Sequence, residues 1–173
     1  STRYEHTQTI FITPKLPMIK VLFICLGNIC RSPMAEAVFQ NLVSEAGLAG
    51  QIEIDSAGTA DWHSGERADR RTLAVLRQHA IPYDGRSRPV QPADLRRFDY
   101  LLAMDSQNAA DLKRLDHSGA LDGKLHRLLD FAPAGYPQDV PDPYYDGRFE
   151  YVYELVDAAS RGLLAHIRQE HRL

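Results

Sequence analysis

Hydrophobic and polar positions change period several times along the chain, and each change predicts an element. Ile19–Ile24 is apolar except for Lys20 and partly β-branched, which reads as a buried strand entered from a wet end. Gly27 and Asn28 follow as turn formers. Ser32-Pro33 then predicts a helix start, with Ser32 at the N-cap and Pro33 at the first helical position. Met34, Ala37, Val38, Leu42 and Val43 share one face at helical spacing, Glu36 stands in the early turns where it complements the helix dipole, and Gly47 ends the helix. Ile52 and Ile54 alternate with polar residues, which predicts a second strand ending near Ser56. A helix over Arg67–His79 with Leu73 and Leu76 inward comes next, then a third strand over Tyr100–Met104. Asp105 caps a helix that runs through Asp111–Lys113. Leu125–Leu129 reads as a fourth strand, and the Pro-, Gly- and Asp-rich stretch Pro133–Asp146 as a loop. Phe149–Ile167 closes the pattern as a long amphipathic helix carrying Tyr151, Val152, Leu155, Val156 and Leu163.

Strands alternating with helices predict an α/β fold with an open parallel sheet. A length of 173 residues suits one domain, expected over residues 18–173. Residues 1–17 carry two prolines and no helical period; they read as an extension without an assigned role, with a short edge strand at Thr9–Ile12. In such sheets ligands bind beyond the carboxyl ends of the strands. Cys25 ends the first strand, Ser56 the second and Met104 the third, so the unusual residues fall where this architecture places its sites.

Composition narrows the function class. A formal net charge of −3 gives no general attraction to nucleic acid or anionic membrane, while a locally positive pocket stays compatible with it. No apolar run reaches membrane-spanning length, and Val21–Cys25 is too short for the core of a secretory signal. The two cysteines, Cys25 and Cys30, lie in one short segment. They do not resemble a secreted disulfide framework, and a reducing, cytoplasmic location is expected. The seven histidines show no metal-ligand spacing.

The chemistry concentrates in Cys25-Leu26-Gly27-Asn28-Ile29-Cys30-Arg31-Ser32, lying between a strand and a helix. A helix N-terminus presents unpaired N–H groups and the positive end of the dipole. A tight loop leading into it can curl further N–H groups around one anion. Gly27 and Asn28 tolerate the positive φ that such a curl needs. Arg31 adds a two-pronged grip on phosphate oxygens. The same positive field favours the thiolate of Cys25, and Ser32 can donate to that sulfur. Attack by Cys25 on phosphorus would give a thiophosphate that water then hydrolyses. The leaving group needs a proton, which points to Asp139-Val140-Pro141-Asp142-Pro143-Tyr144-Tyr145-Asp146. There Asp142 stands between prolines as a candidate general acid, and the tyrosines suit the wall of an aromatic pocket.

With these residues in view, the chain resembles the low-molecular-weight protein tyrosine phosphatases from Ile19 to about Ile167. Cys25–Pro33 is similar to the family's signature loop, Asp142-Pro143-Tyr144-Tyr145 to its acid loop, and Ser56-Ala57-Gly58-Thr59 and Phe98-Asp99-Tyr100…Met104-Asp105 to internal landmarks. The resemblance implies a three-layer α/β/α fold with a four-stranded parallel sheet in the order 2-1-3-4 and no metal or other cofactor. It implies Cys25 as nucleophile, Arg31 as phosphate clamp and Asp142 as general acid. Asn28 and Ser56 would hold the loop by mutual hydrogen bonding, Ser32 would stabilise the thiolate, and Leu26, Trp62, Tyr144 and Tyr145 would border the substrate. Leu26, Gly27, Asn28, Ile29, Cys30 and Ser32 would complete the phosphate-binding loop, with Cys30 also trapping Cys25 as a reversible disulfide. Partners would be phosphotyrosine-containing proteins and a cognate tyrosine kinase, with the chain itself a monomer or weak dimer. One departure stands out. Many relatives carry a histidine after the Ile-Pro segment, where Tyr83-Asp84-Gly85-Arg86 offers none, so no role resting on it carries over.

Blander readings stand beside these. Cys25 and Cys30 could be buried core cysteines, Asp142 a turn residue, Trp62 a cover for the core, Tyr144 and Tyr145 surface packing or phosphorylation sites, and Arg67, Arg70 and Arg71 a solvated helix face. Arsenate reductases share this fold and loop but relay oxidation through downstream cysteines, and none follows Cys30. Protein-arginine phosphatases carry threonine where this chain has Ile29, whose apolar side chain favours a flat phenyl ester. A phosphopeptide-binding module without turnover would need neither Cys25 nor Asp142.

Overall fold

The computed structural model describes residues 17–173; the strand expected at Thr9–Ile12 lies outside them. Strands β1 (Ile19–Cys25), β2 (Ile52–Gly58), β3 (Tyr100–Ala103) and β4 (Leu125–Arg127) form one parallel sheet in the order β2-β1-β3-β4. Central β1 pairs with β2 from Ile19↔Ile52 to Cys25↔Gly58 and with β3 from Val21↔Tyr100 to Ile24↔Ala103. Because both of its faces are covered, β1 is apolar at nearly every position rather than alternating. Val21, Phe23 and Cys25 join the core on one face, with α1 (Arg31–Glu45), α2 (Arg70–Gln78) and α6 (Phe149–His171). Leu22 and Ile24 join a smaller core on the other face, under α3 (Pro92–Arg97) and α4 (Ser106–Leu115). The architecture is the three-layer α/β/α that the resemblance implied. From β1 the chain runs outward to β2 and later returns to β3 on the opposite side. That reversal opens a crevice at the end of β1, where Cys25 sits.

Several boundaries differ from expectation, each for a local reason. Helix α1 starts at Arg31 with Cys30 at the N-cap, so Ser32 and Pro33 stand inside its first turn. The Ser32 hydroxyl is committed to the Cys25 sulfur and caps nothing. Helix α2 starts at Arg70 rather than Arg67 because the Asp69 carboxylate accepts the Arg71 N–H. Its buried residues are Thr72, Val75 and Leu76, with Leu73 half-buried. Helix α3, unforeseen, is closed at its start by Pro92 and by Asp94 accepting the Gln91 N–H at 2.7 Å. Strand β2 runs on to Gly58. Strand β4 stops at Arg127, where a 3-10 turn (Leu128–Phe131) begins. The long loop contains one helical turn, α5 (Pro143–Asp146), and α6 continues to His171 with Tyr151 on its exposed side. No described helix is long and apolar enough to cross a membrane.

Candidate active site

Two groups converge on the buried Cys25 sulfur. The Asn28 N–H donates to it at 3.3 Å, and the Ser32 hydroxyl lies 3.0 Å away. The loop between strand and helix curls because Asn28 takes a left-handed conformation (φ 54°), which its short polar side chain tolerates. Gly27 does not share that conformation; it lies instead against the His63 ring. The N–H groups of Gly27, Ile29 and Cys30 enter no main-chain hydrogen bond among the described residues, and the first N–H groups of α1 have no intrahelical acceptor. The loop therefore presents a ring of donors in front of the sulfur.

The loop's shape is fixed from beneath. Asn28 Nδ2 donates to Ser32 Oγ at 2.8 Å and to Ser56 Oγ at 2.9 Å, while its Oδ1 accepts the Arg88 N–H at 3.0 Å. The Asn28–Ser56 bond is the one the resemblance implied. Ser56 in turn donates to Glu36 Oε1 at 2.5 Å, and the Tyr83 hydroxyl donates to the same oxygen at 3.0 Å. Glu36 is thus a buried anchor and not the dipole partner that its place in α1 suggested. Burial pushes its carboxyl up to about 7 against the pull of the Ser56 hydrogen bond. Burial and the Glu36 charge likewise raise the Tyr83 phenol well above its ordinary value, so it remains a donor. The segment that lacks the family's histidine supplies this phenol, and a Cβ on Gly85 would collide with its hydroxyl. Ser87 Oγ donates to the Gly27 carbonyl at 3.1 Å, and a Cβ on Gly58 would meet the Leu26 carbonyl at 2.8 Å, so β2 ends tight against the loop.

Arg31 joins this loop to the second one. Its Nη1 donates to Asp105 Oδ2 at 2.6 Å and to the Val140 carbonyl at 2.9 Å, and its Nη2 lies 3.7 Å from Asp142 Oδ2. Asp105 is placed for this by its other oxygen, which caps α4 by accepting the Asn108 N–H at 2.7 Å. Burial opposes the Arg31 charge, but Cys25, Asp105 and Asp142 outweigh it and hold the guanidinium protonated above its ordinary value. Val140 returns a main-chain bond to the end of β3, its N–H donating to the Met104 carbonyl at 2.9 Å. Asp142 opens α5 by accepting the Tyr144 N–H at 3.1 Å.

A narrow cleft of about 140 Å³ lies over Cys25. Leu26, Gly27, Ile29, Cys30 and Arg31 line it, with Asp142 at one side and Trp62, Tyr144 and Tyr145 at the rim. Asn28, Ser32 and Ser56 stand beneath the loop instead. Trp62 (69% exposed) and Tyr145 (88% exposed) cover no core. Cys30 is a buried free thiol, and burial together with nearby Asp69 and Cys25 raises it far above the ordinary thiol range. Sequence reasoning missed His63, which lines the cleft and pairs with Glu66 at 2.7 Å, the roles of Glu36, Tyr83, Ser87 and Arg88, and the grip of Asp105 on Arg31. Asp105 carried a signal, as the cap of the helix that follows the third strand.

Comparison with known proteins places this geometry in a family. A family model described as low molecular weight phosphotyrosine protein phosphatase matches residues 20–173. The chain is 46% identical over 158 residues to the low molecular weight protein-tyrosine-phosphatase YfkJ of Bacillus subtilis, covering 90% of this chain and all of that one. It is 49% identical over 155 residues to a low molecular weight protein-tyrosine-phosphatase of Streptomyces coelicolor, covering 87% and 94%. The crystal structure of YfkJ superposes with a TM-score of 0.86 at 44% identity, covering 90% of this chain and 98% of the other. On a match that spans nearly the whole chain and identities of this size, the chain belongs to the low molecular weight phosphotyrosine protein phosphatases, which are phosphoric monoester hydrolases.

Proposed function

We propose that the protein hydrolyses phosphotyrosine in proteins through a cysteinyl-phosphate intermediate. The phosphate sits in the ring of loop N–H groups with two oxygens on Arg31, which places phosphorus before the Cys25 sulfur. The sulfur attacks, an S–P bond forms and the P–O bond to the phenol breaks. Asp142 gives the departing oxygen its proton. Water then enters from the side the phenol has left, Asp142 takes a proton from it, the S–P bond breaks and inorganic phosphate leaves. Charge on the equatorial oxygens is met by donors already in place, and the thiolate that leaves in the second step is received by Ser32 and the Asn28 N–H.

The observation that carries this reading is the meeting of three groups in one cleft: the Cys25 sulfur, the Arg31 guanidinium and, 3.7 Å from that guanidinium, the Asp142 carboxyl. Binding alone would require neither the sulfur nor the acid. Ile29 in the wall and Trp62, Tyr144 and Tyr145 at the rim suit a flat aromatic ring. A tyrosine kinase is the class of enzyme that must supply such a substrate. In the same reading, Cys30 closes a disulfide on oxidised Cys25 and so protects it.

The test is phosphate release from phosphotyrosine, phosphoserine and phosphoarginine peptides without added metal, for the wild type, Cys25→Ser and Asp142→Asn. Selective turnover of phosphotyrosine is expected, lost in Cys25→Ser and about 10²-fold or more slower in Asp142→Asn. Preference for phosphoarginine would keep the chemistry and overturn the substrate. Tight binding of phosphopeptide with no turnover would overturn the enzymatic reading.

A further inference from the structure

Helix α2 touches both halves of the site, and its first turn carries an arginine with no role in the chemistry above. On the side of the phosphate loop, the Asp69 N–H donates to the Ile29 carbonyl at 2.8 Å and the Thr72 hydroxyl to the Cys30 carbonyl at 3.2 Å. On the side of the acid loop, both terminal nitrogens of Arg71 donate to the Tyr144 carbonyl, each at 3.3 Å. The guanidinium is itself fixed in place. Its Nε and Nη2 fork onto the two oxygens of Asp69 at 3.1 and 3.0 Å, and it lies 4.5 Å from the centre of the Phe149 ring and 5.5 Å from that of Tyr144. A planar five-donor group can hold one carboxylate, one carbonyl and two ring faces together; an ammonium group cannot.

The bond to Tyr144 matters because the N–H of that same residue orients the Asp142 carboxyl. Among the described residues, Arg31 and Arg71 are the two side chains from earlier elements that form hydrogen bonds or ion pairs with Asp142–Asp146. Arg31 holds the Val140 end and Arg71 the Tyr144 end. We propose that Arg71 is a positioning residue that sets the height of Asp142 over the phosphate loop, using α2 as the rigid spacer between the two. This rests on the reading of Asp142 as general acid.

The proposal separates from a merely structural role by the substrate's leaving group. An unactivated phenol needs its proton as the P–O bond breaks; a nitro-activated phenol leaves as a stable anion and needs it far less. We would measure kcat/KM for phenyl phosphate and for a nitrophenyl phosphate with wild type, Arg71→Gln, Arg71→Lys and Asp142→Asn, together with competitive binding of inorganic phosphate. Both Arg71 variants are expected to lose on the order of ten-fold on phenyl phosphate and about two-fold or less on the activated ester, with phosphate binding within about two-fold of wild type. Asp142→Asn should discriminate between the esters in the same sense and more strongly. Equal losses on both esters in the Arg71 variants, while Asp142→Asn discriminates, would overturn the positioning role alone. An Asp142→Asn variant that fails to discriminate would remove the acid itself and the proposal with it. The Arg71 side chain is partly exposed, so neither replacement opens the core, and Arg71→Lys retains the charge should the neutral variant fold poorly.

Discussion

From Cys25 to Ser32 the chain is buried almost throughout, whereas between Asp139 and Asp146 only Val140 and Pro143 are buried. The first segment is held by hydrogen bonds from β2, α1 and the stretch Tyr83–Arg88. The second is tied at one end by Asp139, which accepts from Ser106, and by Val140, and at the other by Arg71, with exposed tyrosines between. The two face one cleft and do different work. On the proposed mechanism a phosphoryl group gains from donors that need no rearrangement when charge develops, which suits a cradle as buried and hydrogen-bonded as this one. On the same mechanism a leaving group must arrive and depart, and the acid that would serve it, Asp142, comes from an exposed loop tethered at a few points. Preorganisation is concentrated where the charge is, and access where the traffic is.

Arg31 is the joint between these two regions, and changing it should have the largest effect. Arg31→Lys keeps a charge but loses the planar fork that reaches Asp105, the Val140 carbonyl and a phosphate together. A fall in kcat/KM of about 10³-fold on phosphotyrosine peptide is expected, with weaker binding of inorganic phosphate in titration. A loss below ten-fold would mean that the loop N–H groups carry the phosphate without it.

Next in size is an effect on stability confined to the rigid side. The Glu36 carboxyl in the folded chain sits at about 7, above its ordinary value of 4.5. Between those values the folded chain retains a proton that the unfolded chain has released, so stability falls as pH rises through this window and levels off above it. Glu36→Gln keeps an acceptor for Ser56 and Tyr83 but removes the titration. Urea unfolding at pH 4.5 and pH 8 should show the variant gaining up to about 3 kcal/mol on the wild type across the window. Parallel pH dependence in both proteins would show that Glu36 ionises freely.

The smallest effect is expected at Cys30. Its thiol lines the floor of the cleft and its removal should change phosphotyrosine turnover by about two-fold or less. The difference should appear after oxidation. Activity lost to hydrogen peroxide should return with a dithiol in the wild type and not in Cys30→Ser, because Cys25 then lacks a partner thiol and proceeds to irreversible acids. Equal recovery in both would remove the protective role.

The order of strands and helices, and the cleft residues from Cys25 to Arg31, were legible because their signals are local. A buried parallel strand reads as an apolar run, and a cysteine, turn formers and an arginine at fixed spacing between a strand and a helix read as an anion loop. Helix α3 escaped because six residues give too little period to read and Pro92 looks like a breaker. Ser32 was misplaced as a cap because a hydroxyl before a proline has two suitors, a helix end and a nearby sulfur, and only the fold shows which is closer. Glu36, Tyr83, Arg88 and Arg71 are ordinary residue types on unremarkable elements. They act across 20 to 73 residues of separation, through contacts that no window along the chain contains.

The side chain of Asn28 has one more consequence. Its Oδ1 is taken by the Arg88 N–H, which fixes the amide's orientation, and both amide protons are spent on the oxygens of Ser32 and Ser56. Each hydroxyl is left with one direction in which to donate: Ser32 toward the sulfur, Ser56 toward Glu36. Hydroxyls pass protons along a row by turning over, but an amide N–H does not release its proton on that timescale. Asn28 is therefore an insulator in the middle of an otherwise continuous wire. A buried carboxyl that titrates near neutrality stands three hydrogen-bonding groups from the Cys25 sulfur and can brace it without ever protonating it.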